Sequence, residues 1–521
     1  MLEAISTAIL FAAFAADCFL LSLHFVHMLQ LNSYQNDRYR RWMKENRGQI
    51  IYRMGWLLLA TVAVSSFLIQ STDWKVRTAC AIIFFIHAYL NLPKKAKKPL
   101  VFTARVKRLY ATYFILTAAA GAAVYFSGMF RISLGGLFLW ASLTGIAVLA
   151  ANTINRPIEN KIAGWYIEDA RKILNSMNNL TVIGITGSYG KTSTKNFLAS
   201  LLAARYNVLM TPESYNTTMG AVRTVREKLL PVHDVLIVEM GARRPGDIAE
   251  ICELVRPKYG IITAIGEQHL ETFKTVENII GTKFELADYI PDDGLIFLNG
   301  DDKYIKNKKT GKPVVTYSVR AGSGCDYTAF DISVSREGSR FTVAAPDGER
   351  CVFTTKLLGA HNIQNITGCI AVAHRLGIPL SELVVSVRRL KPVEHRLQLL
   401  PNGYIDDSYN SNPAGFRAAL DVLSQFDGQR VLVTPGMVEL GERQYQLNRE
   451  LGAYAASRCD YAVLVGEKQA PPLREGLLEA GFQAERLFIA PDLNKAIEIV
   501  NSLPNEGQRT VLLENDLPDN Y

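Results

Sequence analysis

Apolar residues dominate the first 150 positions of the chain and then give way to shorter runs. Five long apolar segments stand in this first part, and each approaches the roughly 20 residues that a helix needs to cross a bilayer core. They fall at about residues 4–30, 51–70, 77–93, 109–128 and 133–152. From residue 181, short β-rich runs alternate with helical stretches, which is typical of a mostly parallel, doubly wound sheet. The pattern predicts a helical transmembrane region followed by an α/β fold.

Basic residues cluster beside the apolar segments, in residues 37–47 (DRYRRWMKENR) and 94–108 (KKAKKPLVFTARVKR). Loops rich in Lys and Arg stay in the cytoplasm. The sequence therefore predicts a multi-pass plasma-membrane protein with its N-terminus outside and its catalytic domains, after residue 153, in the cytoplasm. The net charge of +8 lies largely in such stretches, which favours lipid headgroups over nucleic acid as the reason for it.

The predicted organisation has four parts. They are a transmembrane region (1–153), an amphipathic connector (154–180), a P-loop ATP-binding domain (181–395) with a small β insertion near 310–356, and a smaller Rossmann-like domain (396–521). Asp17 lies inside the first apolar segment. It is either functional or a polar group satisfied within the helix bundle, and both interpretations stay open. The seven cysteines are scattered, without the spacing of a zinc site or a disulfide framework.

A glycine-rich loop carries the first chemical signal. The stretch ITGSYGKTSTK, residues 185–195, follows the predicted strand TVIGIT and precedes a helical pattern. In such a loop, backbone N–H groups hold phosphate oxygens, the Lys191 ammonium reaches the outer phosphates, and the Thr192 hydroxyl ligates Mg²⁺. ATP and Mg²⁺ are the predicted cofactors. The loop residues predicted to bind the nucleotide are Gly187, Ser188, Gly190, Lys191, Thr192 and Ser193.

One position departs from the usual P-loop pattern, because Ile185 stands where GxxxxGK[ST] requires glycine. The shorter TGxxGKT loop resembles that of the Mur ligase family, the ATP-dependent amide ligases of peptidoglycan precursor synthesis. Further stretches resemble the family in order: VEMGA (238–242), AIGEQHLETF (264–273), GTKFEL (281–286), LNGDD (298–302), GAHNIQN (359–365), EHRLQ (394–398) and IDDSYNSNP (405–413). The last most resembles the family member that adds D-alanyl-D-alanine.

The resemblance implies roles for particular residues. It implies Mg²⁺ ligands at Glu239 and His269, and a lysine at Lys283 that, when carbamylated, bridges the metals. It also implies nucleotide contacts from Asn299, Asn362, Arg396 and Asp407, with Arg396 on the phosphates. The residues that it implies for catalysis are Lys191, His269, Lys283 and Arg396. Each residue taken alone also fits a purely structural role, but their order and spacing favour a shared site.

The chemistry of amide formation agrees with this set. A carboxylate becomes reactive when phosphoryl transfer from ATP converts it to an acyl phosphate, and that transfer depends on positioning and on neutralising charge. An amine then attacks the acyl phosphate. A closing C-terminal domain excludes water and so protects the intermediate.

Two departures from the family shape the predicted substrate. Apolar segments take the place of the family's UDP-binding domain, and the chain runs into ENDLPDNY without the Lys-Gly-Ser-Arg type of ending of the D-alanyl-D-alanine-adding enzymes. We therefore expect a membrane-bound ligase that joins a cell-envelope or lipid-linked carboxylate to an amino acid or dipeptide, with envelope-synthesis proteins as further partners.

Two alternatives remain open at the level of sequence. One is a poly-glutamate-type synthase or the ligase half of an amidotransferase, although such ligases lack the DDSYNSNP type of domain or carry a cysteine-rich insertion. The other is a non-catalytic nucleotide-binding scaffold. The presence of Lys191, Glu239, His269, Lys283 and Arg396 argues against the scaffold.

Overall fold

A computed structural model of the protein forms two compact units, Met1–Trp165 and Tyr166–Asp519. We describe each unit by itself. The structure describes the whole chain except residues 49, 51–53, 58, 62–73, 93–97, 127–129, 213–214, 267–269, 336, 410, 439, 468, 505–506 and 517–521.

The first unit is helical. Its described helices are α1 (Leu2–Leu31), α2 (Asn36–Glu45), α3 (Trp74–Leu90), α4 (Ala104–Phe126), α5 (Phe130–Ser142) and α6 (Thr144–Asn175), the last of which ends beyond the unit boundary. Most of the predicted segment 51–70 lies outside the described residues. Helix α6 runs without a break through most of residues 154–180, which the sequence predicts as a connector.

The length and composition of the described helices decide which of them can cross a bilayer. Among the described residues, α1 and α4 are long and apolar enough to cross a membrane. Helices α5 and α6 add a third candidate if a pair bent by 70° counts as one span. Helix α3 has 17 residues, which at about 1.5 Å per residue falls short of a hydrocarbon core of roughly 30 Å. The described chain thus offers two or three candidate spans for four of the predicted segments, and the fifth, 51–70, lies mostly outside it.

Asp17 is buried in α1, where its Oδ1 lies 2.7 Å from Nδ1 of His87. The other ring nitrogen of His87 lies 3.2 Å from the Asn91 amide. Buried polar groups are costly unless they find such partners. The other oxygen of Asp17, Oδ2, is buried without a hydrogen-bond partner among the described residues, so both interpretations of Asp17 stay open.

The second unit begins with a nine-stranded sheet in the order β2-β3-β1-β4-β5-β6-β7-β8-β9. Neighbouring strands from β2 to β7 are parallel, and β7, β8 and β9 are antiparallel. The strands are β1 (Thr181–Thr186), β2 (Val208–Met210), β3 (Val235–Glu239), β4 (Tyr259–Ile262), β5 (Leu295–Asn299), β6 (Val314–Ser318), β7 (Tyr327–Ser335), β8 (Gly338–Ala344) and β9 (Arg350–Thr355). Residues 310–356, predicted as a small β insertion, thus continue the main sheet.

Helices cover this sheet. Its central strands are therefore buried along nearly their whole length, as is usual for parallel strands. The helices are α7 (Lys191–Leu202), α8 (Thr218–Lys228), α9 (Asp247–Val255), α10 (Leu270–Phe273), α11 (Val276–Asp288), α12 (Lys303–Lys306), α13 (Ala360–Arg375) and α14 (Leu380–Arg388). The predicted α/β fold class is confirmed.

A second, six-stranded sheet follows in the order β10-β11-β15-β12-β13-β14, with all neighbours parallel except β10 and β11. Its strands are β10 (Gln398–Leu399), β11 (Tyr404–Asp407), β12 (Gln429–Thr434), β13 (Tyr461–Val465), β14 (Leu487–Ala490) and β15 (Arg509–Glu514). Its α-helices are α15 (Pro413–Ser424), α16 (Gln444–Ala455), α17 (Ala470–Glu479) and α18 (Leu493–Ser502). The strand that comes last in the sequence lies inside the sheet.

The register of the first sheet brings polar side chains to one edge. Ile185 of β1 pairs with Glu239 of β3 on one side and with β4 on the other, and β4 pairs with β5, which ends at Asn299. Ligands of open α/β sheets bind outside the carboxyl ends of the strands. The glycine-rich loop leaves β1 at this same edge.

Candidate active site

The glycine-rich loop turns directly from β1 into α7, and two of its glycines are required by geometry. Gly187 and Gly190 have φ angles of 149° and 79°, which side chains rarely adopt. A Cβ at Gly187 would collide with the Thr263 hydroxyl, and one at Gly190 would lie 2.8 Å from Oδ1 of Asn365. The loop backbone is therefore packed between β4 and α13, with α7 beginning at Lys191.

Lys191 folds back over this loop. Its ammonium donates to the carbonyl oxygens of Gly187 (2.7 Å) and Ser188 (3.1 Å). Burial lowers the pKa of Lys191 to about 8; Glu239 opposes this shift and Arg396 adds to it. A positive charge so placed, at the start of a helix, lies where the outer phosphates of a nucleotide would bind.

Glu239 ends β3 and is 1% exposed. Its Oε1 accepts hydrogen bonds from the Thr192 hydroxyl (3.2 Å) and the Asn216 amide (3.3 Å). Its Oε2 lies 3.1 Å from Nζ of Lys195. A carboxylate and a hydroxyl are the hard oxygen donors that Mg²⁺ takes. Glu239 and Thr192 therefore fit the metal for which the sequence proposes them.

Lys283 lies in α11 and is 3% exposed. Burial and the charge of Lys191 lower its pKa to about 7, while Asp247 and Glu285 oppose the shift. Near neutral pH, much of this lysine is an uncharged amine. Such an amine is a nucleophile, and carbamylation by CO₂ requires one.

Asn299 and Asn362, the predicted nucleotide contacts, are both buried. The Asn299 amide donates to the Thr263 carbonyl (2.8 Å), and its oxygen accepts from Gln364 (2.9 Å). The Asn362 amide donates to the carbonyl of Leu358 (2.8 Å). Asn299 bonds to the segment that follows β4, against which the loop packs, whereas Asn362 bonds within the start of its own helix, α13.

Arg396 and Asp407 come from the start of the second sheet. The Arg396 guanidinium lies over the Tyr409 ring, 4.4 Å from its centre. The residues on either side, His395 and Leu397, have positive φ angles of 59° and 47°. The Leu397 N–H donates to Oδ1 of Asp407 (3.0 Å). Two uncommon backbone conformations therefore set where Arg396 points.

Two further predicted residues complete the set. Ser193 is the third residue of α7 and is half-buried. His269 lies outside the described residues, so its role as a ligand of a second Mg²⁺ stays a prediction.

Sequence reasoning missed three groups around the loop. Lys195 follows Lys191 by four residues and therefore lies on the same helix face, which is a signal that was present in the sequence. Asn216 and Asn365 approach the site through tertiary packing, and no local pattern distinguishes them from other asparagines.

A fourth missed residue is Glu514, the last residue of β15. It is 1% exposed and pairs in register with Asp407 of the neighbouring strand. The Ser411 hydroxyl donates to its Oε1 at 2.6 Å. Burial raises the pKa of Asp407 to about 6, and burial together with the Asp407 charge raises the pKa of Glu514 well above its usual range. The folded protein therefore favours the state in which at least one of these two adjacent carboxyl groups is protonated.

Known proteins share this architecture. The family model for the Mur ligase middle domain matches residues 185–373, and the model for the Mur ligase glutamate ligase domain matches residues 395–513. The UDP-N-acetylmuramoyl-tripeptide--D-alanyl-D-alanine ligase of Escherichia coli is 30% identical over 330 residues, which are 60% of this chain and 72% of that protein. The chain belongs to the Mur ligase family.

Solved structures of Mur ligases agree. MurF from Acinetobacter baumannii superposes with a TM-score of 0.61 at 28% identity, over 67% of this chain and 76% of that one. MurF from Thermotoga maritima, in complex with ADP, has a TM-score of 0.59 at 24% identity, over 68% and 80% of the two chains, and shows the same fold. The first matched range lies inside the predicted ATP-binding domain (181–395), and the second begins one residue before the predicted Rossmann-like domain (396–521). The boundaries of both domains stay a prediction.

Family membership confirms the resemblance seen in the sequence and settles the reaction class. The protein is an ATP-dependent ligase that forms a C–N bond and releases ADP, and it uses ATP and Mg²⁺. This outcome removes the non-catalytic scaffold from consideration.

The predicted location is wrong. The sequence predicts a multi-pass plasma-membrane protein with an external N-terminus, but the relatives are ligases named for a UDP-linked precursor, a water-soluble kind of substrate. Apolar side chains of the first unit are buried against one another between its helices, and this packing is a reason for its apolar composition that requires no contact with lipid.

The Asp407–Glu514 pair predicts a pH-dependent stability. Because the folded state raises both pKa values, the pair contributes most stability at low pH and loses it as pH rises from about 4 through 6 and above. Glu514→Gln removes the like charge. We expect its melting temperature to exceed that of the wild type by roughly 3–6 °C at pH 8, and by little at pH 4.5.

Thermal denaturation of both proteins at the two pH values measures this effect. Glu485→Gln, at an exposed position of the same sheet domain, is the control and should change little. An equal shift of the Glu514→Gln variant at both pH values would contradict the shared-proton interpretation.

Proposed function

We propose that this Mur ligase joins the carboxylate of a cell-envelope precursor to the amine of an amino acid or dipeptide. The observation that carries the proposal is the buried Glu239 carboxylate in contact with Thr192 beneath the glycine loop, in a chain of this family. The relatives are named for adding D-alanyl-D-alanine to a UDP-muramoyl tripeptide, which supports the same substrate classes here.

Phosphoryl transfer comes first in the proposed reaction. The glycine-loop N–H groups and Lys191 bind the phosphates of ATP, and Arg396 adds a second positive charge from the following domain. Thr192 and Glu239 would hold Mg²⁺, which would supply positive charge to the phosphates. A carboxylate oxygen of the substrate forms a bond to the γ-phosphorus, the bond to ADP breaks, and an acyl phosphate results.

Lys283 has a separate proposed role. The uncharged fraction of its amine forms a carbamate with CO₂ and loses a proton, which changes a buried amine into a carboxylate-like anion. That anion faces the charge of Lys191, the same charge that disfavours protonation of Lys283. A negative group at this position supports the predicted role of Lys283 as a bridging ligand.

Amide formation completes the proposed cycle. The amine attacks the carbonyl carbon of the acyl phosphate, phosphate leaves, and the nitrogen loses a proton. Arg396 and Asp407 lie at the start of the second sheet, on a segment with two strained residues. Closure of that domain over the nucleotide would exclude water and protect the acyl phosphate from hydrolysis.

We further propose that a lipid-linked carrier presents the carboxylate. The family models begin at residue 185, and the preceding unit is a helical bundle. That unit contains a cavity of about 540 Å³ with an almost wholly apolar lining. Such a cavity suits a hydrocarbon chain better than a charged nucleotide. The residues that line it include Phe11, Phe14, Ala118, Gly121 and Tyr125.

Substrate-dependent ADP release tests the proposed function. The full-length protein is given ATP and Mg²⁺ with a UDP-linked or a polyprenyl-linked muramoyl tripeptide, and with D-alanyl-D-alanine, single amino acids or glutamate as the amine. We expect ADP release only when carboxylate and amine are both present, with the polyprenyl-linked tripeptide the faster acceptor. Mass spectrometry identifies the amide.

The Lys191→Ala variant provides the control. Loss of its ammonium should lower the rate by about 100-fold or more, whereas Lys228→Ala, at an exposed position of α8, should match the wild type. Equal or faster turnover of the UDP-linked tripeptide would overturn the lipid-linked carrier. Addition of successive glutamates would favour the poly-glutamate-type alternative.

Carbamylation of Lys283 has its own test. Lys283→Ala should lose activity by about 100-fold or more, and small carboxylates such as formate or acetate should restore part of it by filling the space with a negative group. Because the lysine pKa is about 7, activation of the wild type by added bicarbonate should increase as pH rises from 6 to 8. A loss of activity that no carboxylate restores, together with no bicarbonate effect, would contradict the carbamate.

A further inference from the structure

Lys195 is a buried charge with no part in the reaction as described so far. It lies in α7, one helical turn after Lys191, and is 1% exposed. Its ammonium lies 3.1 Å from Oε2 of Glu239, which is also 1% exposed. A lysine is seldom buried this deeply unless it has a charged partner.

The two oxygens of Glu239 have different surroundings. Oε2 faces the Lys195 ammonium, whereas Oε1 faces two neutral donors, the Thr192 hydroxyl and the Asn216 amide, at 3.2 and 3.3 Å. Oε2 accepts no hydrogen bond from the described residues, but its ion pair with Lys195 joins two opposite charges in the interior, where their attraction is stronger than in water. Oε1 is therefore the oxygen that can exchange its partners at lower cost.

This arrangement also cancels the charge of the site. Among the described side chains that contact the Glu239 carboxylate, one positive charge from Lys195 balances its single negative charge. Lys191, whose ammonium folds over the glycine loop, adds a further positive charge. Without nucleotide, a divalent cation that approaches the loop meets little net attraction from these groups. Nucleotide phosphates supply the missing negative charge.

We propose that Lys195 is a positioning residue that holds Oε2 of Glu239, leaves Oε1 for Mg²⁺, and thereby makes metal binding depend on bound nucleotide. The inference rests on the proposed role of Glu239 as a Mg²⁺ ligand. Its consequence is an order of binding in which the metal enters with ATP, so that the resting enzyme does not hold Mg²⁺ tightly.

Metal binding, measured apart from catalysis, tests this inference. Mn²⁺ replaces Mg²⁺ as a probe because both prefer oxygen ligands in octahedral geometry. Electron paramagnetic resonance reports the free Mn²⁺ in titrations of the full-length protein, with and without ADP. For the wild type, we expect ADP to tighten Mn²⁺ binding at least about tenfold beyond what ADP itself binds in solution.

Two substitutions separate charge from packing. Lys195→Met keeps a long side chain without the charge, so its affinity for Mn²⁺ without nucleotide should increase at least about tenfold. Lys195→Arg keeps the charge and should retain the dependence on ADP. A gain of metal affinity cannot result from a loss of folded structure, which a thermal melt of each variant checks independently.

Matched controls make the outcomes distinct. Asn216→Ala removes a neutral partner of the same carboxylate and should preserve the dependence on ADP, and Lys228→Met should behave as the wild type. If Lys195→Met folds and binds Mn²⁺ without nucleotide no better than the wild type, the inference is overturned. If Lys195→Met does not fold, Lys195→Gln is measured by the same criterion. If Glu239→Gln binds Mn²⁺ in the presence of ADP as tightly as the wild type does, Glu239 is not a metal ligand, and the proposed role on which this inference rests is overturned.

Discussion

The placement of one carboxylate in the interior of the first sheet constrains everything around it. Glu239 ends a fully buried strand, where an unpaired charge would be very costly. Four neighbouring features meet that requirement: a lysine on α7, a hydroxyl at its start, an amide before α8, and a glycine loop that allows close approach. The groups that stabilise the carboxylate are also the ones that we propose to bind phosphate and metal, which links the folding requirement to the proposed chemistry at this edge.

The sequence reveals local features of the site well. The glycine loop between a strand and a helix, the strand that ends in Glu239, and the α/β alternation all follow from short-range patterns, because turn geometry and burial act over a few residues. The order of the motifs is sufficient to place the chain in its family. Lys195 could also have been found, since a spacing of four residues puts it on the same helix face as Lys191.

Other parts of the site and the fold depend on contacts that no local pattern records. Glu514 meets Asp407 only because β15 enters the sheet beside β11, and Asn365 reaches Gly190 only because α13 packs on the loop. The first unit shows the same limit. Phe84 and Phe138 stack at 4.2 Å between ring centres, and the Tyr113 hydroxyl donates to the Cys18 carbonyl. Apolar helices that satisfy one another in this way resemble membrane spans in sequence.

The position of β15 has a consequence for how the chain folds. This strand pairs with β11 on one side and β12 on the other, although about 75 residues separate it from β12. Partners so far apart in sequence impose a large loop-closure entropy and a high contact order. On a ribosome, β10–β11 and β12–β13–β14 would emerge as two separate groups of strands. Residues 509–514, which form β15, would join them only later. The second sheet therefore assembles after translation of nearly all of it, and the exposed strand edges of that interval are where chaperones would act.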